Sequence, residues 1–190
     1  ATLLTGDELT AGLTVSAVCF AGAGCVFYRL MRLDYSHGCA LRAVKLLCIM
    51  PGSFFFAAPM SESLFVLLCA GCVYLVRKRR WALGCLLGAL AAFTRSLGIM
   101  LLVPVVFELV RFLRESGRFS FGKTVRQMLP ALLIPAGLGA YLIINYLVSG
   151  DFFKFMQYQH EHWGQGFGWF FATASYQTRL AIDTLSLDLS

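Results

Sequence analysis

Long apolar runs separated by short polar segments dominate the chain, and they predict helices that cross a membrane. A spanning helix needs about 20 apolar residues. Six segments are candidates: Leu9–Leu30, Ala40–Ala58, Ser63–Val76, Trp81–Phe93, Leu97–Phe112 and Met128–Val148. The third and fourth are short, so we expect thin crossings or broken helices buried among their neighbours.

Basic residues are concentrated in alternate loops between these runs. Of the 16 Lys and Arg residues, 13 would lie on one side of the membrane: Arg29, Arg32, Arg42, Lys45, Arg77, Lys78, Arg79, Arg80, Arg111, Arg114, Arg118, Lys123 and Arg126. The opposite side would carry Asp7, Glu8, Glu62, Arg95, Asp151, Lys154, Glu161 and Arg179. Cytoplasmic loops are enriched in Lys and Arg. This partition supports six crossings and predicts that the basic side is cytoplasmic.

The composition excludes an ordinary soluble domain. Hydrophobic residues make up 58% of the chain and charged residues 14%, against about 25% charged in soluble proteins. We predict an all-α, polytopic transmembrane bundle over residues 1–150. Residues 151–190 would form a non-cytoplasmic loop and the start of a further segment of a longer chain. The run at 77–80 is interpreted as a stop signal that contacts anionic lipid, not as a nucleic-acid site.

Glu62 is the first candidate for chemistry, because an ionisable residue inside a membrane protein is costly and marks a site by default. It follows Pro59 and stands between Ser61 and Ser63. One interpretation is structural: either serine caps a helix, and the carboxylate favours the helix N-terminus. The other is functional: Glu62 faces an aqueous cavity and, with the two serines, binds a polar substrate.

Arg95 is the second candidate, because it interrupts two apolar runs far from the basic loops. A guanidinium group forms bidentate, charge-assisted bonds to phosphate and stays charged when partly desolvated. A lipid-linked phosphate at the membrane boundary would therefore suit Arg95, with Ser96 in the same predicted substrate site. The alternative is an internal ion pair between Arg95 and Glu62 that joins two short helices.

A third polar cluster lies after the last apolar run, in residues 157–169. It contains His160, His162 and Trp163 among glycines and amides, and its spacing is typical of an exposed loop. Aromatic faces with imidazole and amide partners suit a sugar site. Trp and Tyr at a membrane interface are also ordinary belt residues, and both interpretations stay open.

Two patterns in the chain could suggest a metal site. His160 and His162 form His-x-His, but no H-E-x-x-H pattern accompanies them. Cys69 and Cys72 have C-x-x-C spacing, but they stand in an apolar run where free cysteine behaves as a small hydrophobe. We therefore predict no metal and no certain cofactor.

Three motifs in this order resemble the PIG-V mannosyltransferase family, which includes GPI mannosyltransferase II and bacterial relatives. They are Pro51-x-Ser-Phe-Phe-Phe-x-x-Pro-Met-Ser-Glu-Ser-Leu-Phe65, Arg79-Arg80-Trp81 and Ala91-Ala-Phe-Thr-Arg-Ser-Leu-Gly98. Outside these motifs, the chain resembles the family in general character from Leu9 to Trp169. The chain departs from the family pattern at Met60, where tyrosine is frequent, and at Gln165, where a basic residue is expected.

The resemblance implies a GT-C glycosyltransferase fold with its active site on the non-cytoplasmic side. It implies a polyprenyl- or dolichyl-phosphate donor, typically of mannose, and inverting transfer to a lipid-linked or other acceptor. An acidic residue in the first non-cytoplasmic loop would act as general base, and we expect that loop to precede Ala1. A fixed cation such as Arg95 would stabilise the departing phosphate.

The predicted function is therefore an integral-membrane mannosyltransferase, whose partners are membrane lipids and the lipid-linked donor. One alternative is a lipid or solute transporter, which predicts internal repeats that the sequence does not show. Another is a non-catalytic membrane subunit of a glycosylation complex, which would need a membrane partner. The chain has no Asn-x-Ser/Thr sequon, which favours a bacterial plasma membrane over the endoplasmic reticulum.

Overall fold

The computed structural model describes residues 7–116, 129–163, 174–176 and 178–179, and all regular structure among them is helical. The chain divides into two compact units, Ala1–Ile143 and Ile144–Ser190. Three apolar helical stretches are long enough to cross a membrane: Glu8–Met31, Ser96–Glu115 and Leu129–Ser149. The all-α prediction is confirmed for the described residues, while the count of six crossings stays a prediction.

The first unit contains α1 (Glu8–Met31), α2 (His37–Ile49), α3 (Phe54–Ala57), α4 (Glu62–Arg77), α5 (Trp81–Thr94), α6 (Leu102–Ser116) and the start of α7 (Leu133–Ser149). Short 3₁₀ segments occupy Pro51–Ser53, Ser96–Leu101 and Leu129–Leu132. The second unit contains α8 (Lys154–Trp163).

The second predicted span, Ala40–Ala58, is not one helix. Met50 is extended, with φ −55° and ψ 139°, because the ring of Pro51 disfavours helical geometry in the preceding residue. The chain then passes through a 3₁₀ turn and the four residues of α3. The 13 residues of α2 reach only about 20 Å, less than the ~30 Å hydrocarbon layer. Residues 37–57 therefore pack against α1 as two separate helices, α2 and α3, joined by the 3₁₀ turn.

Helix α4 packs against α1 on one side and α5 on the other. Two buried glycines allow α5 to approach its neighbours closely. A Cβ at Gly84 would lie 2.7 Å from Val76 Cγ2, and one at Gly88 would lie 2.9 Å from Ile134 Cγ1. The small-residue pattern at 84 and 88 is therefore a helix-packing face, as such patterns predict in membranes.

The hydrophobic core lies among α4, α5, α6 and the start of α7. Its buried members are Leu68, Cys72, Val76, Trp81, Cys85, Ala91, Ala92, Leu101, Val105, Leu109 and Ile134. Cys72 and Cys85 are almost fully buried within it, so these two thiols act as packing residues. Within the described residues, no cluster of His, Cys, Asp or Glu is arranged to hold a metal ion.

The turn between α4 and α5 is a tight left-handed cap. Arg79 has a φ of 63°, and the N–H groups of Arg79 and Arg80 donate to the carbonyls of Val76 and Leu75 at 2.9 Å. This is the Schellman pattern, in which glycine usually takes the left-handed position. Here the Arg79 guanidinium lies 4.3 Å from the centre of the Phe112 ring, and a cation–π contact of this kind offsets backbone strain.

Helix α7 ends at Ser149 and is followed by Gly150, whose φ of 73° is the left-handed conformation that commonly follows a helix. Within the second unit, the rings of Tyr146 and Phe152 stack with their centres 4.4 Å apart. The Asp151 carboxylate accepts from the N–H of Phe153 at 2.9 Å, directly before α8. Asp151 thereby forms the local turn from which α8 starts.

Candidate functional site

The two charged clusters of the first unit lie at opposite ends of its helices. Glu62 begins α4 and Arg95 follows the end of α5, whereas Arg77 ends α4 and Trp81 begins α5. The 16 residues of α4 separate the two ends by about 24 Å. We call the first the Glu62–Arg95 end and the second the basic end.

The loop before Glu62 is fixed against the N-terminal half of α1. The Ser16 hydroxyl donates to the Met60 carbonyl at 3.3 Å, and the Phe20 and Phe56 rings stack with centres 4.9 Å apart. A Cβ at Gly12 would lie 2.8 Å from Pro59 Cβ. These contacts hold the start of α4, and with it Glu62, in a defined place.

The serines beside Glu62 do different things. Ser61 stands at the N-cap of α4 and is exposed, but its side chain makes no capping bond. Ser63 is fully buried, and its hydroxyl donates to the Phe56 carbonyl at 2.7 Å. The predicted serine cap is therefore wrong. Ser61 makes no capping bond, and the Ser63 hydroxyl is hydrogen-bonded to the loop that precedes α4. Substrate contact by Ser61, Ser63 or Ser96 stays a prediction.

Arg95 lies where α5 gives way to the next 3₁₀ segment. Its backbone is extended, with φ −146° and ψ 134°, and its N–H donates to the Ala91 carbonyl at 2.9 Å. Its carbonyl accepts from the N–H of Gly98 at 2.8 Å. A Cβ at Gly98 would lie only 2.3 Å from the Ala92 nitrogen, so only glycine allows the chain to fold back on α5 here.

Arg95 and Glu62 form an ion pair, which confirms the pairing considered from the sequence. Arg95 Nη1 lies 2.5 Å from Glu62 Oε1, and the two side chains are 41% and 24% exposed. The guanidinium carbon is 6.0 Å from the centre of the Phe65 ring. The pair therefore joins the ends of α4 and α5 at a partly open surface.

Each partner of this ion pair has unused hydrogen-bonding capacity. Glu62 Oε2 is buried and has no hydrogen-bond partner among the described residues. Arg95 carries five N–H donors, and the hydrogen bond found for its side chain in the described chain is the one to Glu62. A buried polar atom without a partner is costly. The exposed part of the Arg95 guanidinium suits an anionic ligand.

The third predicted cluster is helical where the structure describes it. Positions 154–163 form α8, so the expected exposed loop is wrong for this stretch. Roles for His160, His162 and Trp163 in binding stay predictions, and residues 164–169 lie outside the described residues.

The basic end holds a network of ion pairs that the sequence did not predict. Arg77 donates to the Asp34 carboxylate from both terminal nitrogens, Nη1 to Oδ2 and Nη2 to Oδ1, the latter at 2.8 Å. Its Nε lies 3.4 Å from Glu108 Oε1. Arg79 pairs with Glu115 at 2.7 Å. The basic run at 77–80 therefore ties α4 to the α1–α2 connection and to α6. The hydrogen bond from Arg77 holds the pKa of Asp34 below its ordinary value.

Replacing Arg77 with methionine should lower the melting temperature of the detergent-solubilised protein, because Asp34 loses its cation and Glu108 keeps only the more distant Arg111, at 3.8 Å. Lys78→Met, at an exposed neighbour, is the matched control and should melt like the parent. A carboxylate with a lowered pKa stabilises the fold above its unfolded pKa and loses that effect as the pH falls through its folded pKa. The difference between parent and Arg77→Met should thus shrink below about pH 4. Equal melting of both variants would contradict the network.

The family model described as Mannosyltransferase (PIG-V) matches residues 8–175, which include Glu62, Arg95 and α8. No curated protein and no solved structure matches the chain. The family match covers most of the 190 residues, and it agrees with the three apolar helices that are long enough to cross a membrane. The chain is an integral-membrane glycosyltransferase and belongs to the PIG-V mannosyltransferase family.

Proposed function

We propose that the protein transfers mannose from a polyprenyl- or dolichyl-phosphate donor to a lipid-linked or other acceptor. Transfer would take place at the Glu62–Arg95 end, on the non-cytoplasmic side of the membrane. The observation that carries the proposal is the partly exposed Arg95 guanidinium, paired on one side with Glu62 and open on the other. A lipid phosphate at a membrane boundary is the anion that such a position suits.

The separation of the two ends supports this orientation. Arg77, Arg79 and Arg111 are at the basic end, and Arg95 is at the other. Because cytoplasmic loops carry an excess of Lys and Arg, the basic end would face the cytoplasm. The proposed membrane is the bacterial plasma membrane, or the endoplasmic reticulum for a eukaryotic chain.

In this proposal Arg95 binds the donor phosphate and stabilises it as the bond to the sugar breaks. A guanidinium held in place before the reaction costs no reorganisation when negative charge develops on the leaving phosphate. Glu62 acts through Arg95 by fixing its orientation, so it is a positioning residue for the phosphate. Contact between a sugar or acceptor hydroxyl and Glu62 Oε2 would require this buried atom to become accessible when substrate binds.

Other predicted residues are proposed to contact the substrate. Ser61 is exposed beside Glu62, and Ser96 is half-buried beside Arg95, so both would contact polar parts of the substrate. His160, His162 and Trp163 would contact the sugar or the acceptor. The general base that takes the acceptor proton is assigned to no residue of this chain.

A donor comparison in sealed vesicles tests the proposal. The full chain would be incorporated into vesicles made from membranes of its source organism, with radiolabelled mannose supplied as polyprenyl-phosphate-mannose or as GDP-mannose. We expect labelled product from the lipid-linked donor alone, and vesicles without the protein give the background. Direct use of GDP-mannose, or movement of the lipid-linked donor without a new glycosidic bond, would overturn the proposal.

A further inference from the structure

An open groove of about 550 Å³ runs between α1 and α2. Its walls are almost entirely apolar and include Phe20 and Gly24 from α1 and Val44 from α2. One formally charged side chain, Arg29, lines it. The groove is therefore mostly apolar, with one cationic side chain in its wall.

The position of this groove along α1 fits one leaflet of a bilayer. Helix α1 has 24 residues and is about 36 Å long, against a hydrocarbon thickness of about 30 Å. Arg29 stands in the last turn of α1, which places it at the headgroup level. Phe20 lies about 14 Å deeper, close to the middle of the bilayer. The groove thus extends from the interface towards the midplane, as an acyl chain does.

The mouth of the groove carries uncompensated positive charge. Arg29 makes no ion pair with any described residue, and Arg42 and Lys45 are exposed on α2 nearby in the chain. Asp34, the one carboxylate of the α1–α2 connection, is engaged by Arg77. Basic residues near an anionic leaflet attract its lipids by about 1 kcal/mol each. The charge complements an anionic headgroup.

We propose that this groove binds an anionic phospholipid, with one acyl chain between α1 and α2 and its phosphate on Arg29. Tyr28, whose hydroxyl is 2.7 Å from His37 Nδ1, stands beside Arg29 and closes one side of the mouth. The headgroup part of the site, at Arg29 in the last turn of α1, is at the basic end of the unit, away from Glu62 and Arg95. It therefore requires neither the proposed donor nor the proposed direction of transfer.

Native mass spectrometry of the full chain, titrated in detergent with phosphatidylglycerol or phosphatidylcholine, tests the site. We expect the parent protein to retain about fivefold more phosphatidylglycerol, from the free energy of one basic residue at the surface. Arg29→Gln should abolish that preference. Arg114→Gln, at an exposed position on α6, is the matched control and should keep it.

A second variant tests the acyl-chain part of the site. A Cβ at Gly24 would be in ordinary contact with Val44 Cγ1, at 3.8 Å, and we expect the rest of a leucine side chain to extend into the groove. Gly24→Leu should reduce retention of both lipids. The site is refuted if the parent protein retains the two lipids equally, if Arg29→Gln keeps the preference, or if Gly24→Leu retains lipid like the parent. Mannosyl transfer is measured separately, so each proposal can fail alone.

Discussion

Replacing Arg95 with alanine should lower mannosyl transfer by about 10²–10³-fold, the usual cost of removing one preorganised donor from developing negative charge. The variant would lose the donors that face the open side of the ion pair, and it would leave the partly buried Glu62 without its cation. The measurement is the initial rate of transfer from polyprenyl-phosphate-mannose in vesicles, with protein amounts matched by immunoblot.

Two further variants separate the role of the charge from the role of the geometry. Arg95→Lys keeps the positive charge but loses the planar fork that matches phosphate, so it should fall between the parent and Arg95→Ala, mainly through a higher KM for the donor. Glu62→Gln should cost less than Arg95→Ala, because Arg95 would keep its donors and lose only its orientation. Arg114→Ala, at the basic end, should transfer at the parent rate.

One result would contradict the proposed binding of the donor phosphate by Arg95. If Arg95→Lys and Arg95→Ala both transfer like the parent, Arg95 does not contact the donor. Its ion pair with Glu62 would then serve only to join α4 and α5. A comparable loss in Arg114→Ala would show that reduced positive charge anywhere on the protein slows transfer, and this too would remove the special role of Arg95.

Replacing Gly98 with alanine should destabilise the protein by about 3 kcal/mol, at the upper end for overpacking. The added Cβ would lie 2.3 Å from the Ala92 nitrogen and 2.5 Å from the Ala91 carbonyl carbon. Both are backbone atoms of α5, so no side chain can rotate away. The segment that follows Arg95 would have to leave α5, and the carbonyl of Arg95 would lose its bond from the Gly98 N–H.

A glycine in open space provides the control for this substitution. Gly139, within α7, has nothing within 4 Å of an added Cβ, so Gly139→Ala should be neutral or stabilise by up to about 1 kcal/mol through helix propensity. Thermal unfolding in detergent measures both variants. A Gly98→Ala protein that melts like the parent would show that this close approach is absent in solution.

Glu62 and Arg95 could be singled out as candidates from the sequence because each is a local exception within an apolar stretch. A carboxylate after Pro59 and an arginine between two apolar runs are conspicuous wherever polar residues are rare. Their separation from the basic loops was visible for the same reason. The ion pair itself was one of two interpretations, since the sequence contains no distance between α4 and α5.

Other features could not be predicted from the hydropathy pattern, because they are determined by backbone geometry and by tertiary packing. The run at 40–58 has the hydropathy of a span, yet Pro51 breaks it, because backbone geometry and not apolarity decides where a helix ends. Asp34, Glu108 and Glu115 were not recognised as partners of the basic run. Their pairing depends on which helix ends meet, and that follows from tertiary packing.

The shortness of α5 affects the lipid beside it. Its 14 residues extend about 21 Å, and Leu83, Leu86 and Leu90 form an exposed apolar stripe along it. Lipid chains along that stripe must shorten or tilt to match it, at a cost of a fraction of a kcal/mol per Å of mismatch. If α5 crosses the membrane as the sequence predicts, the leaflet beside Arg95 would be drawn inward, and the proposed polyprenyl-phosphate donor would meet the guanidinium below the level of the surrounding headgroups. In the proposed function, the length of this helix would thus help to bring the donor phosphate to Arg95.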